Sequence, residues 1–373
     1  MPRLLHVAKV SGISGAERHL LLLLPQLREH GYDVRFVLLH EDEPGAWEFA
    51  RGLAGAGVPV DDVRLPRAVS PPAFVRLAAV IRRHRPDLLH THLVHADFYG
   101  LPAGRLARVP ALASTKHGFN AFRDSKAFAR GDRLVGALAD LHIAISGGLA
   151  DYLAATEGFE RGRFQVVHYG LPARAPAEAF AAAPRFAIVG RLVPIKGHAV
   201  LFEAFARVLK ELPAATLDVA GAGPLDAELR ALAGSLGLGS AVRFLGHVPG
   251  PRVMEQAAVV VVPSFGEGFG MVALEAMERS RAVVASAVGG LPEILDAGRT
   301  GLLVPAGNVE ALAASLIGLG SDLDRARTMG EAGRKRAVER FTQERCTERT
   351  IELYKGVVNR RRRGRRPISH RSA

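Results

Sequence analysis

Two glutamates eight positions apart, Glu267 and Glu275, bracket a loop that also holds Gly266, Gly268 and Gly270. A loop with so few Cβ atoms lets backbone come close to a ligand. The apolar run Ala257–Val262 before it, closed by Pro263, reads as a buried strand. Met271–Met277 after it reads as the start of a helix whose N-terminus points back at the loop. Free N–H groups and the helix dipole make such an end a site for anions. Carboxylates beside an anion site make sense when one ligand carries both phosphates and hydroxyls. A nucleotide sugar does: diphosphate for the N–H groups, hexose and ribose hydroxyls for the carboxylates. A second pair, Arg191 and Lys196, flanks a turn between a predicted strand, Phe186–Val189, and a predicted helix, Ala199–Leu209. Arginine offers a planar fork and lysine a point charge, both suited to a diphosphate.

These groups need a scaffold, and strand–helix alternation occurs twice along the chain. Between the two series lies LPARAPAEAFAAAP, Leu171–Pro184, where proline and alanine dominate and hydrophobic periodicity lapses. It reads as a linker. The expected organisation is α/β: a first domain over 1–170, linker 171–184, a second domain over 185–340, a terminal helix over 341–358 and a basic tail over 359–373. The opening strand Leu4–Val10 runs into SGISGAERH, and a second glycine turn is Gly221-Ala222-Gly223-Pro224. Neither gives G-x-G-x-x-G with its acidic partner, so a dehydrogenase is disfavoured. Arg299–Pro305 reads as a hairpin-like piece.

A chain of 373 residues, 48% hydrophobic and 23% charged, can bury two α/β cores. A single cysteine, Cys346, excludes a disulfide framework and a multi-cysteine zinc site, and suits a reducing cytoplasmic setting. Met1–Val10 is too short and polar for a signal peptide, and no apolar run reaches membrane-spanning length. Net charge is +12, but seven arginines and no acids lie between Asn359 and Ala373, and removing them leaves +5. Such a tail is either a solvated end or a contact for an anionic membrane surface, at roughly 1 kcal/mol per basic residue. No basic patch with interleaved aromatics appears elsewhere, so no nucleic-acid partner is expected. His90, His92 and His95 cluster at a strand end and turn without cysteine or organised carboxylates, and Asp322-Leu323-Asp324 sits at a helix start. No metal is expected at either.

The block GEGFGMVALEAM, with Glu267-x7-Glu275 and GGLPE after it, resembles glycosyltransferase family 4, retaining enzymes of the GT-B fold. Arg191 and Lys196 match that family's R-x4-K pair. The resemblance covers most of residues 1–355 and is most specific between Phe186 and Pro305. It implies two facing Rossmann-like domains with an interdomain cleft, the first binding acceptor and the second donor. The terminal helix would cross back onto the first domain. The implied reaction moves a sugar, with retention, from a nucleotide diphosphate sugar to a hydroxyl of a glycan, lipid-linked or cell-surface polysaccharide acceptor. It needs neither metal nor cofactor.

By resemblance Arg191 and Lys196 hold the diphosphate, Glu267 the sugar hydroxyls and Glu275 the ribose. Gly268, Phe269 and Gly270 form the phosphate-facing helix end, and the backbone of Val248 meets the base. Gly15, in a loop where Ser14 replaces the family's first glycine, meets donor phosphate or acceptor. His117, at the end of the predicted strand Pro110–Thr115, reaches a donor-sugar hydroxyl or the reacting centre, with Lys116 a lesser second polar group. The His90-x-His92 pair lines the acceptor side. His168-Tyr169-Gly170 departs from the family's Asn-Gly turn and leaves the contact of that asparagine unassigned. The competing reading is a non-catalytic nucleotide-sugar-binding protein of the same fold, told apart by absence of turnover.

Overall fold

The computed structural model describes residues 1–67, 69–119, 125–172, 180–181 and 183–364, side chains of 362–364 excepted. The expected linker and the end of the basic tail lie largely outside these residues. The chain divides into two compact units. One comprises Met1–Ile145, Leu149–Gly170 and the chain from Gln343 onward, and the other Ser146–Gly148 and Leu171–Thr342.

In the first unit, seven strands form a parallel sheet: β1 (Arg3–Lys9), β2 (Asp33–His40), β3 (Val60–Arg64), β4 (Leu88–His92), β5 (Ala111–Lys116), β6 (Leu141–Ala144) and β7 (Phe164–Val166). Their order is β3-β2-β1-β4-β5-β6-β7. Helices cover both faces, so both faces must be apolar, and the alternation of a strand splits one run between two cores. Leu4 and Ala8 of β1 join Leu24, Phe36 and Tyr354 on one face. Leu5 and Val7 join Leu77, Ile81 and Tyr99 on the other. Burying each such side chain contributes about 1.5–3 kcal/mol.

The last helix, Gln343–Gly364, is part of the first core through Cys346, Ile351, Tyr354 and Val357. Thr347 Oγ1 donates to Gln26 Oε1 at 2.6 Å. The helix runs six residues past the expected Val358, because the arginines that follow are good helix formers.

The second unit carries β8 (Arg185–Val189), β9 (Thr216–Ala220), β10 (Val242–Gly246), β11 (Val259–Val262), β12 (Ala282–Ser286) and β13 (Leu302–Val304). All pair in parallel, in the order β10-β9-β8-β11-β12-β13. The expected hairpin at Arg299–Pro305 is absent. Its apolar residues pair instead with the open edge of β12, Leu302 opposite Val284. A turn closed by the Asp296 N–H on Thr300 Oγ1, at 2.8 Å, brings them there. In both sheets chain order runs outward from the middle, reversing between β1 and β4 and between β8 and β11. Open parallel sheets bind ligands at the carboxyl ends of strands beside such a reversal.

Candidate active site

Two loops flank the β8/β11 reversal. The loop after β8 carries Arg191 and a short 3-10 turn, Pro194–Lys196, before the helix His198–Glu211. Gly197 turns it at φ +70°, and a Cβ there would lie 2.0 Å from the carbonyl oxygen of Pro263. Only glycine lets this loop meet the end of β11. From beneath, a Cβ on Gly221 would lie 1.8 Å from the carbonyl oxygen of Gly190. The GAGP turn is therefore a packing support for the Arg191 loop. The loop after β11 ends at Gly270, which caps the helix Met271–Glu278 at φ 112°. Gly290 donates its N–H to the Glu267 carbonyl at 3.2 Å, and a Cβ on it would lie 2.7 Å from the Phe269 carbonyl oxygen. The second glycine turn thus braces the first.

Within this frame Lys196 Nζ donates to Glu267 Oε1 at 2.5 Å. Ser264 Oγ donates to the same oxygen at 2.9 Å. Ser264 was not singled out in the sequence; its place three residues before Glu267 was the available signal. The side chains of Lys196 and Glu267 are 24% and 12% exposed, so the pair is mostly buried but keeps an edge in solvent. Arg191 is exposed and makes no side-chain hydrogen bond or ion pair among the described residues. Glu275 is buried on the helix beyond Gly270. Phe269 is buried as well, its ring edge-on to Phe341, so only its backbone is left for a ligand. Val248 is half-buried after β10, an edge strand two places from β8. His198, the first residue of the helix after Lys196, is pushed down to about 4 by burial and by Lys196, and is neutral. The cluster combines cations, carboxylates and free helix N–H groups. It can bind an anion and hydroxyls at once.

In the first unit the corresponding reversal holds histidines. Parallel register sets His6 of β1 opposite His90 of β4, and His92 opposite Thr115 of β5. His6 Nδ1 lies 2.9 Å from His92 Nε2, and His92 Nδ1 lies 2.9 Å from His117 Nε2. His117 Nδ1 in turn bonds the Tyr169 hydroxyl. His90 bonds Thr115 Oγ1 at 2.7 Å and the Tyr354 hydroxyl at 2.5 Å. His19 stacks on Tyr169 with centroids 4.2 Å apart. Burial pushes His6 and His19 down to about 3, and His90, His92 and His117 well below the usual imidazole range. The same burial raises Tyr169. All five rings are neutral near pH 7.

Both ring nitrogens of His117 are engaged, so a ligand hydroxyl must exchange with one of those partners. Tyr169, the departure from the family turn, is one of them. His95 is not part of this group: it is half-buried on the following helix, beside Lys9 and Glu41, and His6 takes its place. The side chain of Lys116 alternates to the other face of the sheet. It is buried, with Asp97 Oδ2 at 2.9 Å, Asp132 Oδ1 at 3.0 Å and Glu157 Oε1 at 3.8 Å. It is a core ion cluster, not a ligand group.

Gly15 opens the helix Gly15–Glu29, and Glu17 closes a capping box by accepting the Ser14 N–H at 3.0 Å. Asp322 likewise caps a helix, accepting the Arg325 N–H at 2.9 Å, and Asp324 pairs with Arg327 at 2.8 Å.

Residues 13–174 match the family described as Glycosyltransferase Family 4, and residues 174–336 match Glycosyl transferases group 1. The chain is 32% identical over 318 residues to the D-inositol 3-phosphate glycosyltransferase of Streptomyces avermitilis, spanning 75% of this chain and 68% of that protein. It is 33% identical over 314 residues to the alpha-maltose-1-phosphate synthase of Mycolicibacterium smegmatis, spanning 72% and 79%. Among solved structures, HepE of Anabaena in complex with UDP shares the fold with a TM-score of 0.82 at 21% identity, over 95% of this chain and 100% of that one. The sucrose-phosphate synthase of Thermosynechococcus elongatus does so at 0.79 and 23%, over 96% and 100%. With both halves matched and two parallel sheets of the expected kind, the chain belongs to glycosyltransferase family 4 and has the GT-B fold.

Proposed function

We propose that the protein is a retaining, metal-independent hexosyltransferase that moves a sugar from a nucleotide diphosphate sugar to a hydroxyl of a glycan, lipid-linked or cell-surface polysaccharide acceptor. One observation carries the donor reading. Lys196 and Glu267 meet at the β8/β11 reversal, next to the helix end capped by Gly270. As the nucleotide departs, negative charge grows on its β-phosphate. Lys196, Arg191 and the N–H groups after Gly270 stabilise it. Positive character grows at the sugar carbon. Glu267 binds and orients the hexose hydroxyls, and Glu275 the ribose. The leaving phosphate accepts the acceptor's proton on the same face, which gives retention without a covalent enzyme intermediate. His117 reaches a sugar hydroxyl by exchanging one of its ring partners.

The acceptor class is argued from the family and from the basic C-terminus, which favours an anionic, lipid-bearing surface. Two relatives carry inositol 3-phosphate and maltose-1-phosphate in their names, so small phosphorylated acceptors belong in the same screen. Among the described residues no helix is long and apolar enough to cross a membrane. Association would therefore rest on the arginines after Asn359. Deleting residues 359–373 should abolish binding to anionic liposomes, and unchanged binding would remove the membrane reading.

The deciding experiment is a calorimetric and thermal-shift screen of UDP, GDP, ADP and their sugars, followed by turnover on candidate acceptors in the presence of EDTA. One nucleotide sugar should bind selectively and turn over with the anomeric configuration kept, as read by NMR. Binding without turnover on any acceptor would favour a non-catalytic binding protein. Binding of none would sink the donor assignment.

A further inference from the structure

The Lys196–Glu267 pair has a feature that the donor reading alone does not require. Lys196 Nζ and Ser264 Oγ converge on one oxygen, Glu267 Oε1, at 2.5 and 2.9 Å. The partly exposed lysine that would meet the diphosphate is thus already neutralised by the carboxylate that would meet the sugar. Both loops are fixed from below. Gly197 is pressed onto the Pro263 carbonyl, and the Glu267 carbonyl is held by the Gly290 N–H. The pair can therefore open and re-form through side chains alone.

We propose that Glu267 competes with the diphosphate for Lys196, and so discriminates the sugar-bearing donor from the spent nucleoside diphosphate. The inference rests on the donor reading above. While the sugar is attached, its hydroxyls hydrogen-bond Glu267 and compensate the carboxylate for the loss of Lys196. Once the sugar has left, an uncompensated carboxylate faces a diphosphate across one ammonium. Like charges at this range in a half-buried site repel. Glu267 recaptures Lys196 and the nucleotide is released. Glu267 is then a specificity-determining residue against product as well as a contact for substrate. Product release limits turnover in many enzymes, so the pair bears on rate.

The prediction has a sign that a merely supportive role for Glu267 would not produce. Glu267→Gln keeps the volume and an acceptor for Ser264 but removes the charge. The full-length protein, Glu267→Gln, Lys196→Ala and the double variant are titrated calorimetrically with UDP, GDP and ADP. The nucleotide that binds the unaltered protein should bind Glu267→Gln about two- to fivefold more tightly, the scale of one partly exposed charge pair. Its inhibition constant as product should fall alongside. In the Lys196→Ala background the gain should vanish, because the competition needs the lysine. Glu267→Ala provides a second charge-free variant if the amide disturbs the loop, with folding checked by thermal melt. Equal or weaker nucleotide binding in both charge-free variants overturns the proposal and leaves the donor site standing. Binding of no nucleotide by the unaltered protein overturns both.

Discussion

At the β1/β4 end of the first sheet the polar groups are buried neutral rings, whereas at the β8/β11 end of the second they are full charges that keep an edge in water. The two sheets reverse chain order in the same way, so topology alone does not select the chemistry. Depth does. His6, His90 and His92 lie within strands, where a charge would lose its hydration, and burial keeps them unprotonated. Lys196 and Glu267 lie beyond the strand ends, on loops, where an ion pair keeps part of its solvent. The first arrangement is a buried network of neutral rings; the second keeps charges that a ligand can meet.

Acid should break the comparison most strongly. The five histidines titrate at about 6.5 in the unfolded chain and well below that when folded, His6 and His19 at about 3. A depressed folded value means that the unfolded state binds the proton first. Their contribution is complete above pH 6.5 and is lost as pH falls from there towards the folded values. The loss is up to about 1.4 kcal/mol per imidazole per pH unit. Trp47, the single tryptophan, packs half-buried against a core of the first unit, so its fluorescence reports that unit. Its transition should move to lower temperature steeply between pH 6.5 and 4. A flat profile would mean that the rings are not sealed.

Lys196→Ala should act on the other unit. Transfer should fall by about 10²–10³ in kcat/KM, the scale for losing one preorganised group that stabilises developing charge. The melting temperature should barely change. A large fall in stability with unaltered kinetics would make the lysine structural. Gly197→Ala tests the frame under that lysine. A side chain at φ +70° and a Cβ 2.0 Å from a carbonyl oxygen require the loop to shift. About 2–3 kcal/mol of stability should be lost, measured by urea unfolding, with nucleotide binding weakened in step. The smallest effect is expected at Asp322→Ala. It removes a cap worth about 1 kcal/mol and should leave transfer unchanged with or without added divalent cation.

The two loops at the β8/β11 reversal were legible because their residues are contiguous. Arg191 to Lys196 and Ser264 to Glu275 each sit in one stretch, with glycines marking close approach. The supports were not legible, because Gly221 and Gly290 act on carbonyls of other loops. The full histidine chain was not legible for the same reason. Sequence proximity favoured His95, which turns away with its helix. His6 joins His90 only through the register of adjacent strands, at a sequence separation of 84. Lys116 and His117 are neighbours, yet strand alternation sends one into a buried ion cluster and the other into the imidazole chain.

The first unit is assembled from both ends of the chain, since Cys346, Ile351, Tyr354 and Val357 complete a core begun by Leu4 and Leu24. During synthesis the opening 170 residues must therefore wait, with part of that core uncovered, until the whole second unit has been made. The second unit is nearly continuous, Leu171–Thr342 with Ser146–Gly148, and faces no such delay. Its sheet is positioned to form first although it is encoded second. A chain stopped at Thr342 would therefore leave the ribosome with its later half closed and its earlier half exposing apolar surface, the state that chaperones capture and proteases clear.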